Sequence, residues 1–117
     1  MIQVFVYGSL KRGHSNHGFL HGADLLGAHT TRAAYTLLDL GYFPGVISGG
    51  TTAIQGEIYR IDDDTLRALD RLEGHPELYQ REVIATPYGS AYIYLLTAAD
   101  ETYPVIESGV WQGPDTD

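Results

Sequence analysis

From Ile2 to Tyr7 the chain sets β-branched and aromatic residues one after another, which predicts an opening strand, and Gly8-Ser9 ends it with a turn signal. Asn16 to His21 reads as a short helical turn, because Asn16 can cap it. Leu25 to Thr31 and Ala34 to Asp39 read as two further strands, with bends at Gly41-Tyr42-Phe43-Pro44-Gly45 and Ser48-Gly49-Gly50. Ala53 to Ile61, with its alternating Ile54, Gly56 and Ile58, is the fourth strand. The clearest helix follows. Asp62 is a good N-cap, Asp63 and Asp64 put negative charge in the first turn, and Leu66, Leu69 and Leu72 recur at helical spacing before Gly74 and Pro76 end the run. Tyr79 to Thr86 and Ala91 to Thr97 read as strands joined through Pro87-Tyr88-Gly89-Ser90 into a hairpin. Val105 to Trp111 is expected to pack across the body as a terminal element. Strands thus dominate, with one main helix between the fourth and fifth. The expected class is α+β, built on a small, mixed, barrel-like sheet.

Composition narrows the function classes. At 117 residues, 44% of them hydrophobic, the chain is sized for one domain with one core, placed at residues 1–112, with a flexible tail at 113–117. Seven Lys and Arg against fifteen Asp and Glu give a net charge of −8, which opposes binding to nucleic acid or anionic lipid. Only Lys11 and Arg12 stand together. No stretch approaches the roughly 20 apolar residues needed to cross a bilayer, and Met1 to Tyr7 lacks the basic flank of a signal peptide. The expectation is a cytoplasmic monomer that meets a small molecule, with no nucleic-acid or membrane partner. Cysteine is absent, which excludes disulfides, thiolate zinc sites and a Cys nucleophile.

Three places carry candidate chemistry. At about 100° per residue, Glu73 falls within roughly 40° of the centre of the leucine face, so it points toward the core at the negative end of the helix dipole. Both effects oppose ionisation and would raise its pKa toward the range of a general base. For a Glu near a helix end, however, a frayed last turn with the side chain in solvent is the more frequent arrangement. Tyr7-Gly8-Ser9-Leu10 is a strand-end Gly-Ser turn, whose backbone N–H groups can cradle an anion, although most such turns are purely structural. It has neither the spacing of a P-loop nor a dinucleotide fingerprint, and Ser9 lacks the Gly-x-Ser-x-Gly context of a serine nucleophile. His14, His17 and His21 have spacing that could face a metal from one side of a helix. Gly13, Asn16 and Gly18 argue against a regular helix there, so surface or hydrogen-bonding histidines are the better reading and no metal is assigned. Tyr79 lies just past the helix end, near Glu73, where a core or cross-strand role is the ordinary one.

Three motifs in order resemble the γ-glutamylcyclotransferase-like superfamily, especially its γ-glutamylamine cyclotransferase branch. Val4-Phe5-Val6-Tyr7-Gly8-Ser9-Leu10-Lys11-Arg12-Gly13, followed by Asn16-His17, is similar to that branch's opening motif. Gly56-Glu57-Ile58-Tyr59 resembles its "GEvY" strand, and Leu69 to Arg81 resembles its "LDxxEgxPxxYxR" segment. Ile106-Glu107-Ser108-Gly109-Val110-Trp111 is similar to the end of short bacterial members. The resemblance implies a small mixed barrel-like fold and cyclisation of a γ-glutamyl group to 5-oxoproline, with release of an amine or amino acid and no cofactor. It further implies Glu73 as catalytic acid/base, substrate binding by Tyr7, Gly8, Ser9 and Leu10, and a pocket position for Tyr79. The alternative is a non-catalytic module of the same fold that binds a small acidic metabolite.

Overall fold

The computed structural model describes residues 2–99 and 102–114. Ile2–Val6 forms strand β1, which has a neighbour on each side: the antiparallel strand Gln55–Ile61 (β5) and the parallel strand Gly89–Leu96 (β7). Two outer strands complete this mixed sheet. Asp24–Thr30 (β2) pairs with β5, and Tyr79–Thr86 (β6) pairs with β7, giving the order β2-β5-β1-β7-β6. The remaining strands, Tyr35–Asp39 (β3) and Pro44–Ser48 (β4), form a separate antiparallel pair.

A central strand buried on both faces must be apolar on both, which is why β1 reads as a nearly unbroken hydrophobic run. Val4 and Val6 pack on one side with Leu66, Leu69, Tyr79 and Tyr94. Phe5 packs on the other with Leu37, Val46, Ile54, Ile58 and Ile93. The helix Asp63–Glu73 (α1) supplies Leu66 and Leu69 to the first of these layers. Gly56 lies on β5 beside the end of β1, and an added Cβ would stand 2.3 Å from Val6 O and 2.8 Å from the Phe5 ring, so no larger residue fits.

The structure departs from the sequence expectation in two places, at Pro44-Gly45 and at the helical turn. Pro44-Gly45 is not a bend but the start of β4, so α1 follows the fifth strand instead of the fourth. Proline is admitted there because it occupies the first residue of a strand. The terminal segment packs across the body as expected: Leu38 and Val105 make an isolated bridge, and the Ile106 amide donates to Leu37 O at 2.8 Å. The helical turn narrows to a single 3-10 turn, His17–Leu20, and Asn16 makes no side-chain capping bond to it. Of the tail expected at 113–117, residues 115–117 lie outside the described residues.

Candidate active site

Helix α1 ends in good order. The Asp62 carboxylate accepts from the Thr65 amide at 2.8 Å at one end, and Gly74, at φ 63°, caps the other in the left-handed region. Its amide donates to the carbonyls of Asp70 and Arg71. Glu73 therefore remains on the last helical turn, beside the leucine face, and does not swing into solvent. It lines a narrow cleft together with Tyr7, Gly8, Ser9, Leu10 and Tyr79. All six residues nominated by sequence meet there.

The cleft also contains Phe43, Pro44 and Tyr94, none of which the sequence singled out. Pro44 was masked by its turn-like context. Tyr94 looked like any other aromatic residue alternating along a strand. The enclosed volume is about 30 Å³, enough for about one water. A larger cavity of about 520 Å³ opens between the edge strands β2 and β6, lined by His29, Arg32, Tyr35 and Glu82 among others, and shares no residue with this cluster.

Two carboxylates three residues apart on α1 have opposite fates. Burial acts on both. At Asp70 its upward push is outweighed by two bonds from Arg81, at 2.9 and 3.2 Å, and one from the Tyr94 hydroxyl at 2.7 Å, so its carboxyl stays below the usual range. Among the described residues nothing donates a hydrogen bond to Glu73 or pairs with its charge. Burial alone then pushes its pKa up to about 7. A carboxyl that titrates at neutral pH in a cleft can accept and return a proton under ordinary conditions.

The neighbouring phenols do different work. The Tyr7 hydroxyl donates to Tyr94 O and the Tyr79 hydroxyl to Pro44 O, both at 2.7 Å. Burial, reinforced by nearby acidic groups including Glu73, raises both phenols above their ordinary values, so they stay protonated. Because each O–H is committed to a backbone carbonyl, these residues bind strand to strand and present their rings as walls.

The Gly8–Leu10 turn has its carbonyls spoken for. Gly8 O accepts from Lys11 N at 3.1 Å, Ser9 O from Asn16 N at 2.8 Å, and Leu10 O from His17 Nδ1 at 2.9 Å. Asn16 Nδ2 also donates to the Ser9 hydroxyl at 2.9 Å, so Asn16 holds the turn where a helix cap was expected. The amides of Ser9 and Leu10 make no loop or side-chain hydrogen bond among the described residues. Spare donors with tethered acceptors are what an anion or developing oxyanion needs. Gly8 permits the close approach of the opposite wall: a Cβ there would lie 2.6 and 2.7 Å from Pro44 Cγ and Cδ. His17 is spent on Leu10, and among the described residues no group of three or more His, Asp or Glu is placed to hold a metal ion.

Comparison with known proteins gives a consistent picture. A family model described as gamma-glutamyl cyclotransferase, AIG2-like, matches residues 4–113. The gamma-glutamylcyclotransferase family protein YtfP of Escherichia coli K12 is 40% identical over 114 residues, covering 97% of this chain and 99% of the relative. Rat gamma-glutamylaminecyclotransferase is 38% identical over 93 residues, covering 72% of this chain and 62% of the relative. The crystal structure of an AIG2-like protein from Mus musculus superposes with a TM-score of 0.80 at 28% identity, over 100% of this chain and 98% of the other. The solution structure of Escherichia coli ytfP gives 0.78 at 41% identity, over 95% and 96%.

Proposed function

Because the chain belongs to the AIG2-like γ-glutamyl cyclotransferase family, we propose that it cyclises a γ-glutamyl group to 5-oxoproline and that Glu73 carries the protons. The observation that carries this reading is an unpaired carboxyl, titrating near pH 7, that shares a cleft with a turn rich in spare amides. The reaction is intramolecular, so its nucleophile and electrophile arrive already tethered and little orienting remains to be done. The substrate's α-ammonium first gives a proton to the Glu73 carboxylate. The freed amine attacks the γ-carbonyl carbon, forming the ring C–N bond and moving an electron pair onto oxygen. Amides of the Gly8–Leu10 turn stabilise that oxyanion or hold the α-carboxylate. Glu73 then returns its proton to the departing nitrogen as the oxyanion collapses and the exocyclic C–N bond breaks. Attack has left the ring nitrogen with a second proton and a positive charge; Glu73 takes that proton too and passes it to the released amine, so 5-oxoproline and an ammonium ion leave. The α-nitrogen loses two protons, the leaving nitrogen gains two, and Glu73 ends as a carboxylate.

Tyr7 and Tyr79 form the side walls, and Phe43, 41% exposed on the connection between β3 and β4, forms the outer one. A cleft of about 30 Å³ must widen to take a γ-glutamyl head, and the exposed Phe43 side is where it can do so. The rat relative's name directs the choice of leaving group toward γ-glutamylamines, with γ-glutamyl amino acids second. The test is release of 5-oxoproline from a panel of both, by the native protein and by Glu73→Gln. Loss of turnover by at least about 10²-fold in a folded variant is expected for an acid/base residue. Near-native turnover would remove Glu73 from the mechanism. Binding of 5-oxoproline with no turnover of any panel member would favour a non-catalytic module on the same fold.

A further inference from the structure

Lys11 is the first residue past the Gly8–Leu10 turn, and the residue is only 9% exposed. A lysine is seldom buried so far without a partner. Burial pulls its ammonium below the ordinary lysine range, against the opposing effect of the Glu57 carboxylate. Its hydrogen bond joins opposite ends of the chain: Nζ donates to Trp111 O at 2.7 Å, across 100 residues of sequence.

Trp111, 3% exposed, lays its pyrrole edge near the same turn, with Cδ1 4.0 Å from where a Gly8 Cβ would stand. Its Nε1–H, one bond from Cδ1, is enclosed and has no hydrogen-bond partner. The segment leading to Trp111 is fastened along its length. Pro104 O accepts from Asp39 N at 2.9 Å, Ile106 N donates to Leu37 O at 2.8 Å, and Gly109 O accepts from Gln55 N at 2.9 Å. Asp39 is the register partner of Pro44, and Pro44 is the wall that faces Gly8 and accepts from Tyr79. One strap, residues 104–111, is thereby connected to both sides of the cleft.

Resting on the function proposed above, we propose that Lys11 is a positioning residue: it latches the carboxy-terminal strap to the Gly8–Leu10 turn and so sets the turn's amides for the γ-glutamyl group. Lys11 touches no reacting atom and acts through the turn. Loss of the latch therefore weakens substrate binding while Glu73 chemistry, once substrate is held, continues.

Lys11→Met and Lys11→Arg distinguish this from a general stabilising role. Amide hydrogen exchange is followed in peptides covering residues 7–13 and α1, and KM and kcat are taken from 5-oxoproline release. In Lys11→Met, exchange over 7–13 is expected to quicken by about tenfold or more while α1 keeps its native protection. KM should rise about tenfold with kcat within about threefold of native, and Lys11→Arg, which keeps the cationic donor, should recover most of both losses. Trp111 is the sole tryptophan, so its emission should respond to 5-oxoproline in the native chain and cease to respond in Lys11→Met. If Lys11→Met does not fold, Lys11→Gln is read in its place. Native exchange over 7–13 in a folded variant overturns the latch, as does quickening that is equal over α1. Local quickening with unchanged KM overturns its link to substrate. Local quickening in a protein whose native form releases no 5-oxoproline defeats the proposed reaction and leaves the latch standing.

Discussion

Removing the charge from Glu73 should make the protein more stable while it destroys turnover, and the gain should depend on pH. In the folded chain Glu73 titrates near 7, against an ordinary value of 4.5. Below pH 4.5 the group is protonated both folded and unfolded, and it contributes nothing. Between 4.5 and 7 the unfolded chain releases the proton while the folded chain must keep it, so stability falls as pH rises. Above 7 both states are ionised and the deficit is fully present. The interval of about 2.5 pH units, at about 1.4 kcal/mol each, amounts to about 3.5 kcal/mol. Glu73→Gln is neutral throughout and escapes this loss. For a chain of this size 1 kcal/mol moves the melting temperature by roughly 4 °C, so the variant should melt about 14 °C above the native protein at pH 8 and close to it at pH 4. Thermal unfolding of both proteins across pH 4 to 9 reads this difference directly, because the other ionisable groups are common to the pair. A gap that does not change with pH would refute the account of Glu73 as a half-buried, desolvated and unpaired carboxyl. Gain of stability with loss of activity is the pattern of a group kept for function at a structural cost.

Three further outcomes are expected. The native pH profile of kcat/KM should show an acid limb with an apparent pKa of about 7, since the free protein must present Glu73 ionised to accept a proton; a limb near 4.5 would mean that the carboxyl is solvated in solution. Gly8→Ala places a methyl group 2.6 Å from Pro44 Cγ, and overpacking against that rigid ring should cost about 1–3 kcal/mol and most of the 5-oxoproline release, measured by melting and by product assay. Asp70→Asn weakens the pairing with Arg81 and Tyr94 and should cost about 1–3 kcal/mol in urea unfolding, with the apparent pKa of Glu73 nearly unmoved because burial, not the Asp70 charge, sets it.

Much of the molecule could be read from short stretches of sequence. Helix α1 is written in Asp62, the leucine spacing and Gly74, each acting within a few residues, and the structure keeps all of them. The family was legible in the same way, from motifs around Gly8, Gly56 and Glu73 that occur in order. Strand β4 was not. Pro44 and Gly45 carry the local chemistry of a turn, yet both lie in a strand because Val46 fills the core and Leu96 packs so closely that only glycine fits at 45. Asn16 has the composition of a cap, but its partner is Ser9, brought alongside by the path of the intervening loop. Lys11 looks like a solvated charge, and only its meeting with Trp111 shows otherwise.

Glu73 divides along the same line. Helical periodicity set its direction, since the angle between neighbours on a helix is a local property of the backbone. Periodicity could not decide whether that direction ended in water or in protein. The decision lay with Tyr79 and Tyr94 on β6 and β7, with the Gly8–Leu10 turn after β1, and with Phe43 and Pro44 at the start of β4. Desolvation depends on every atom that displaces water, whatever its place in the chain, so the raised pKa of Glu73 exists only once these distant segments have come together.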